Sequence, residues 1–223
     1  GGFTSIAPFP NTQPAVHSKS EILYIRNNTH GLGVHFYPIG AVSQECAGKD
    51  LAELYDMHTA GAVAFSDGKK AVQDAGLLLR AMQYVRAFNG LVLNEPHHKT
   101  IAGSGQMHEG AMSTSLGLKG LPALAEEMMV QRDLSLLEYA EGRLHIHLIS
   151  TAKSVEMIRA AKKAGLQVSC SVAVANLFFT DAELRDFDSN WKLLPPLRAQ
   201  SDADALLDGL VDALGEALAG WVA

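Results

Sequence analysis

Residues 61–93, GAVAFSDGKKAVQDAGLLLRAMQYVRAFNGLVL, hold one complete strand–helix–strand unit. Residues 62–65 form a short apolar run that reads as a buried strand, closed by the polar Ser66-Asp67-Gly68. Across 74–88, Ala75, Leu78, Leu79, Met82 and Val85 recur at helical spacing, with Asp74 placed as N-cap and Gly90 as the stop. Leu91-Val92-Leu93 is the next strand. A strand, a covering helix and a second strand in this order form a right-handed crossover between parallel neighbours.

The alternation continues in both directions. Strands are predicted at 3–9, 33–39, 144–149 and 166–172, giving six with the two above. Helices are predicted at 18–28, 49–60, 122–139, 154–164 (stopped by Gly165) and 202–218. In the last, apolar residues at 206, 207, 210, 211, 214 and 218 keep helical spacing. A long polar loop runs through His97, His98 and residues 103–105. Two α/β architectures carry this rhythm, a doubly wound open sheet and a (β/α)8 TIM-type barrel. No G-x-G-x-x-G joins a strand to a helix, and polar residues gather just after strand ends, where barrels carry their sites. The barrel is the expected fold, present in part because a closed one needs eight strands. Residues 1–223 read as one partial barrel domain with no second domain, and material is expected before Gly1 and after or within the tail.

Composition narrows the function. The net charge of -6 and the lack of a Lys/Arg run argue against a nucleic-acid partner. No apolar run reaches the roughly 18–20 residues that span a bilayer, and the opening residues have no signal-peptide pattern. Cys46 and Cys170 lie far apart with no metal-ligand or disulfide spacing, which suits a reducing, cytoplasmic setting.

Several segments resemble, in order, those of the dihydroorotases, the cyclic amidohydrolases of pyrimidine synthesis. Gly1-Gly2-Phe3-Thr4 is similar to that family's GGFT strand entry, and Phe9-Pro10-Asn11-Thr12-Gln13-Pro14 to its M-P-N-T-x-P loop. Residues 61–67 are similar to G-A-V-A-F-S-D, and residues 144–151 to L-H-I-A-H-V-S-T. Met107-His108-Glu109-Gly110, Leu116-Gly117-Leu118 and 122–132 match the region between its fifth and sixth strands, and Pro195-Pro196-Leu197-Arg198 matches N-P-P-L-R.

The resemblance implies a zinc site, because hydrolysis of a cyclic amide needs a metal-polarised carbonyl and a carboxylate to move protons. It places Asp67 as the metal-bridging aspartate and Asn11 on the substrate carboxylate. The family's histidine after strand five falls at Glu95, a possible oxygen ligand, and its histidine after strand six falls at Leu148. Gly68 replaces a second acid, Leu194 replaces the asparagine before Pro195, and residues 173–177 replace T-P-H-H-L. The H-x-H pair would lie upstream, and the strand-eight aspartate has no counterpart.

Each residue also has a plainer reading. Asp67 can cap the turn after its strand, Asn11 can serve a proline-flanked turn, and Glu95 can be a mouth carboxylate rather than a ligand. His97 and His98 read as solvated loop residues, His145 and His147 as satisfied histidines facing helices, and Met128 and Met129 as core. Arg198 reads as an ion-pairing residue at the rim. Two functions therefore stand. One is a zinc-dependent hydrolase interconverting dihydroorotate and carbamoyl-aspartate, with a homodimer as family expectation. The other is a catalytically degenerate homologue that serves as a structural partner of aspartate transcarbamoylase.

Overall fold

The computed structural model describes the backbone of residues 2–222 and the side chains of residues 2–213. The chain forms two compact units, one of Gly1–Glu95, Arg132–Ile146 and Leu166–Ser169, the other of Pro96–Gln131, His147–Gly165 and Cys170–Ala223.

The first unit carries the parallel sheet. Its elements are β1 (Ser5–Ile6), α1 (Lys19–Thr29), β2 (His35–Phe36), β3 (Ile39–Gly40), α2 (Leu54–Ala60), β4 (Ala64–Phe65), α3 (Ala75–Arg86), β5 (Val92–Asn94) and β8 (Leu144–Ile146), with β9 (Val168–Cys170) at the far side. Five of these strands lie in the order β3-β4-β5-β8-β9, and the pairings β3–β4, β4–β5 and β5–β8 are parallel. The segment holding β1 adds a sixth neighbour, since the amides of His35, Tyr37 and Ile39 donate to the carbonyls of Thr4, Ile6 and Pro8. Within this sheet the strands thus follow one another in chain order, with no reversal. A doubly wound sheet reverses strand order at a switch point, whereas a barrel wall does not, so the order decides for the barrel. The predicted strand at 33–39 is observed as two short pieces, β2 and β3.

Helix α3 shows why the local sequence folds this way. Asp74 accepts a hydrogen bond from the Leu77 amide at 2.6 Å, which satisfies one of the free donors of the first turn. The Gly90 amide closes the other end on the Val85 carbonyl at 2.8 Å. Its buried face is Leu77, Leu78, Ala81, Met82 and Val85. The expected face is therefore rotated: Ala75 is exposed and Leu77 is in the core. With Phe65, Met57, Val92, Leu144 and Ile146 these side chains are withdrawn from water, the main favourable term in the unit's folding. Helix α2 begins at Leu54 rather than 49, because residues 43–51 fold into a loop closed by an antiparallel bridge between Ser43 and Leu51.

The second unit holds α4 (Lys99–Ala102), β6 (Met107–His108), α5 (Ala111–Leu116), β7 (Gly120–Leu121), α7 (Ala152–Lys163), α8 (Val174–Phe178) and α9 (Gln200–Val222). Helix α6 (Leu124–Ala140) starts there and ends in the first unit. The long polar loop is thus not structureless, and it contains a parallel β6–β7 pair that periodicity could not reveal in two-residue strands. Met107, Leu184 and Leu197 are the buried centre of one cluster, with Trp191 and Leu193 packed against it. Met129 is core as expected, but Met128 is 49% exposed and belongs to the outer face of α6. In α9, Leu206 is buried while Leu207 and Val211 are exposed; the side chains of Leu214 and Leu218 lie outside the described residues.

Candidate functional site

In the first unit the loops that follow β3, β4 and β5 bring Ser43, Asp67 and Glu95 to the same edge of the sheet, the mouth edge of a barrel wall. Asp67 is 2% exposed. Its Oδ1 accepts from the Ser43 amide at 2.9 Å and its Oδ2 from the Ser43 hydroxyl at 2.5 Å. Ser43 Oγ in turn accepts from the Gly48 amide at 2.7 Å. Burial pushes the Asp67 carboxyl up, and the Ser43 bonds pull it back down. Asp67 is thus the strut that ties the loop after β3 to the end of β4. Beside it the Cys46 thiol is raised to about 11 by burial, with the Asp67 charge adding to the effect, so it is not a nucleophile at neutral pH.

Gly68 follows at φ 66, a left-handed conformation that favours glycine. A Cβ there would run into the amide of Asn11, so Asn11 lies directly against the Asp67–Gly68 turn. Asn11 itself is exposed, as are Lys69 and Lys70. Glu95 is 7% exposed, and burial lifts its carboxyl to about 7, opposed by the Lys69 charge. A carboxyl poised there exchanges protons at neutral pH.

Three residues that the sequence reading passed over brace this edge. Asn94 Oδ1 accepts from the Val72 amide at 3.0 Å, and Asn94 Nδ2 donates to Asp133 Oδ2 at 2.6 Å. Arg132 pairs with Asp133 Oδ1 at 2.7 Å and donates to the carbonyls of Val72 and Gln73, each at 2.8 Å. The loop that leaves Asp67 is therefore fastened to β5 and α6. One signal for Asp133 was present: it lies on the apolar stripe of α6 with Met129, Val130 and Leu137, where a charge must have a partner.

Glu126, two turns earlier on that stripe, does the same in the second unit. Its carboxylate accepts from the Ser150 and Thr151 amides at 2.8 and 3.1 Å, from the Ser154 hydroxyl at 2.7 Å, and from the Ser150 hydroxyl. Arg198 is 3% exposed, lies 3.6 Å from Glu126, and donates to Ser150 Oγ and the Leu121 carbonyl. It is an interior ion-pairing residue rather than a rim one. Arg198 also contacts His108 Nδ1 at 3.2 Å, and burial together with that cation holds the imidazole below its usual range. His98 caps α4 through Nδ1, while His145 and His147 meet Ser169 and Ser171. His97 and His98 are half-buried rather than solvated. Leu148 takes φ 59, its amide held by Ser171 Oγ at 3.0 Å.

Among the described residues no three His, Cys, Asp or Glu side chains are grouped to hold one ion. Asp67 has both oxygens engaged by Ser43, and Leu148 offers no donor atom. The described side chains do not by themselves assemble a zinc site. No helix among the described residues is long and apolar enough to cross a membrane.

The parallel wall, with its polar groups at the strand ends, defines an α/β barrel-type fold. Comparison with known proteins agrees. The Dihydro-orotase-like family model matches residues 1–154, so the chain belongs to that family, one of metalloenzymes. It is 44% identical over 212 residues to a dihydroorotase of Pelotomaculum thermopropionicum, covering 95% of this chain and 50% of that one. A dihydroorotase of Acetivibrio thermocellus is 43% identical over 213 residues with the same coverage. The chain thus spans about half the length of the curated relatives it matches. Among solved structures, the L-hydantoinase (dihydropyrimidinase) of Arthrobacter aurescens superposes with a TM-score of 0.77 at 24% identity, over 92% of this chain and 47% of that one. The Saccharomyces cerevisiae dihydroorotase in complex with 5-fluoroorotic acid gives 0.69 at 13% identity, over 95% and 59%. These neighbours are TIM-barrel amidohydrolases and share the fold.

Proposed function

We propose that this chain is part of a dihydroorotase-family protein of pyrimidine biosynthesis whose barrel mouth has been turned from hydrolysis to structure, and that it works in the cytosol as a non-catalytic partner of aspartate transcarbamoylase. The observation that carries this reading is the Asp67–Ser43 pair, which engages both oxygens of the carboxylate that the family would place on zinc. Two further features support it. Leu148 occupies the position of the histidine after strand six, with the backbone in a left-handed turn that costs a leucine roughly 1–2 kcal/mol and leaves it no ligand atom. Glu95 stands where the other histidine belongs, and burial keeps it partly protonated at neutral pH.

A second reading is a zinc-dependent dihydroorotase that interconverts dihydroorotate and carbamoyl-aspartate. Asn11 against the Asp67–Gly68 turn favours it, since that amide can take a substrate carboxylate, as does the buried mouth acid Glu95, which can hold or release a proton. It would use Asp67 and Glu95 on the metal, together with ligands from outside this chain. Elemental analysis of the purified protein, a dihydroorotate hydrolysis assay and co-purification with the transcarbamoylase separate the two. A metal-free, inactive protein that travels with the transcarbamoylase is expected. One or two equivalents of zinc with chelator-sensitive turnover would overturn the structural reading.

A further inference from the structure

At the edge of the first unit opposite Asp67 and Glu95, the loops that enter β5, β8 and β9 enclose a cleft of about 410 Å³. Its walls are Arg86, Asn89, Glu141, Arg143 and Gln167, with Gly90 and Gly142 at the backbone. Arg86 is already committed, to Glu141 at 2.6 Å and to the Ala140 carbonyl at 3.4 Å. Arg143 donates once, to the Asn89 carbonyl at 3.1 Å. Its remaining guanidinium N–H groups and the Gln167 amide have no acceptor among the described residues. Two cations and one carboxylate leave the cleft with a surplus positive charge. A planar guanidinium with a free edge matches the paired oxygens of a phosphate or carboxylate.

The backbone gives a second, independent sign. Asn89 and Glu141 both hold a left-handed conformation, at φ 55 and φ 51. Asparagine tolerates it, but a glutamate at a helix end, where glycine is the usual choice, pays for its side chain. Here that side chain orients Arg86 along the wall of the cleft. Glu141 is thus a strained residue at the concavity, as ligand clamps often hold.

We propose that this cleft is a binding site for the oxyanion group of a small metabolite, with Arg143 as principal anchor and Gln167 as flanking donor. It uses no residue of the mouth, so it is independent of the function proposed above. The test is isothermal titration of the purified protein at low ionic strength with inorganic phosphate and, separately, with succinate. One of the two binds at a single site, and the arm that responds names the source as phosphate-bearing or dicarboxylate. Arg143→Gln, an exposed position, weakens that binding at least about tenfold. Gln167→Leu weakens it severalfold and serves as the check if the arginine variant is poorly behaved. Absence of binding by both anions, or binding that both variants leave unchanged, overturns the proposal.

Discussion

Replacing Asp133 by alanine tests the brace behind the mouth. The carboxylate is fully buried, with one oxygen on Arg132 and the other on Asn94. Its removal leaves the buried Asn94 amide without an acceptor, which costs roughly 1–3 kcal/mol. It also strips Arg132 of its counter-charge, and losing one partner of a buried pair costs about 3–5 kcal/mol. Arg132 is 20% exposed and can recover some hydration, which places the loss near the lower end, about 3 kcal/mol. For a protein of this size that corresponds to a fall in Tm of roughly 6–12 °C. Urea unfolding gives the free energy, and a cycle with Asn94→Ala gives the coupling, expected at about 1 kcal/mol or more. Hydrogen exchange at the Val72 amide, which donates to Asn94, should speed up in the variant. A stability loss under about 1 kcal/mol, or strict additivity in the cycle, would refute the brace.

Other perturbations have equally definite outcomes. Glu95 has a folded pKa raised to about 7, against about 4.3 in an unfolded chain, so the unfolded state releases its proton first. Stability from this group is therefore full in acid and falls as pH rises from about 4 through about 7, by at most about 4 kcal/mol; Glu95→Gln should flatten that part of the profile in pH-dependent unfolding. Gly68→Ala puts a methyl group into Asn11 and an alanine at φ 66, and a drop of about 1–2 kcal/mol in thermal unfolding is expected. Arg198→Met leaves the Leu121 carbonyl and the Glu126 charge without their cation; because Glu126 keeps its serine and threonine donors, the expected loss in denaturant unfolding is about 3 kcal/mol rather than more.

Much of this was legible in the sequence, for identifiable reasons. Strands and helices with a strong apolar period were placed within a few residues, since a buried stripe needs side chains at fixed spacing whatever the surroundings. The α3 face was read one residue out of phase because Ala75 is small enough to lie in either environment, whereas Leu77 is not. The β6–β7 pair was invisible because two residues carry no period. Site residues fared differently. Asp67 and Glu95 were placed at strand ends, but Ser43, which decides what Asp67 is free to do, lies 24 residues earlier in a segment with no pattern of its own. Long-range partners of this kind are set by strand order, and strand order is not written in any local window. The charges at Glu126 and Asp133 on an apolar helix stripe were the exception, since a buried acid announces that a partner exists without naming it.

The same distinction separates ancestry from chemistry in this chain. Segments that keep the wall standing, such as the β4 strand and the Asn94–Asp133–Arg132 brace, are under packing constraints. Positions at the mouth answer to the chemistry of the site rather than to packing. Leu148 is the telling case: a leucine gains nothing from φ 59, yet the turn persists because Ser171 holds its amide and Ile149 is buried just beyond. Asp67 gives the complementary case, an acid whose hydrogen bonds to Ser43 serve the fold.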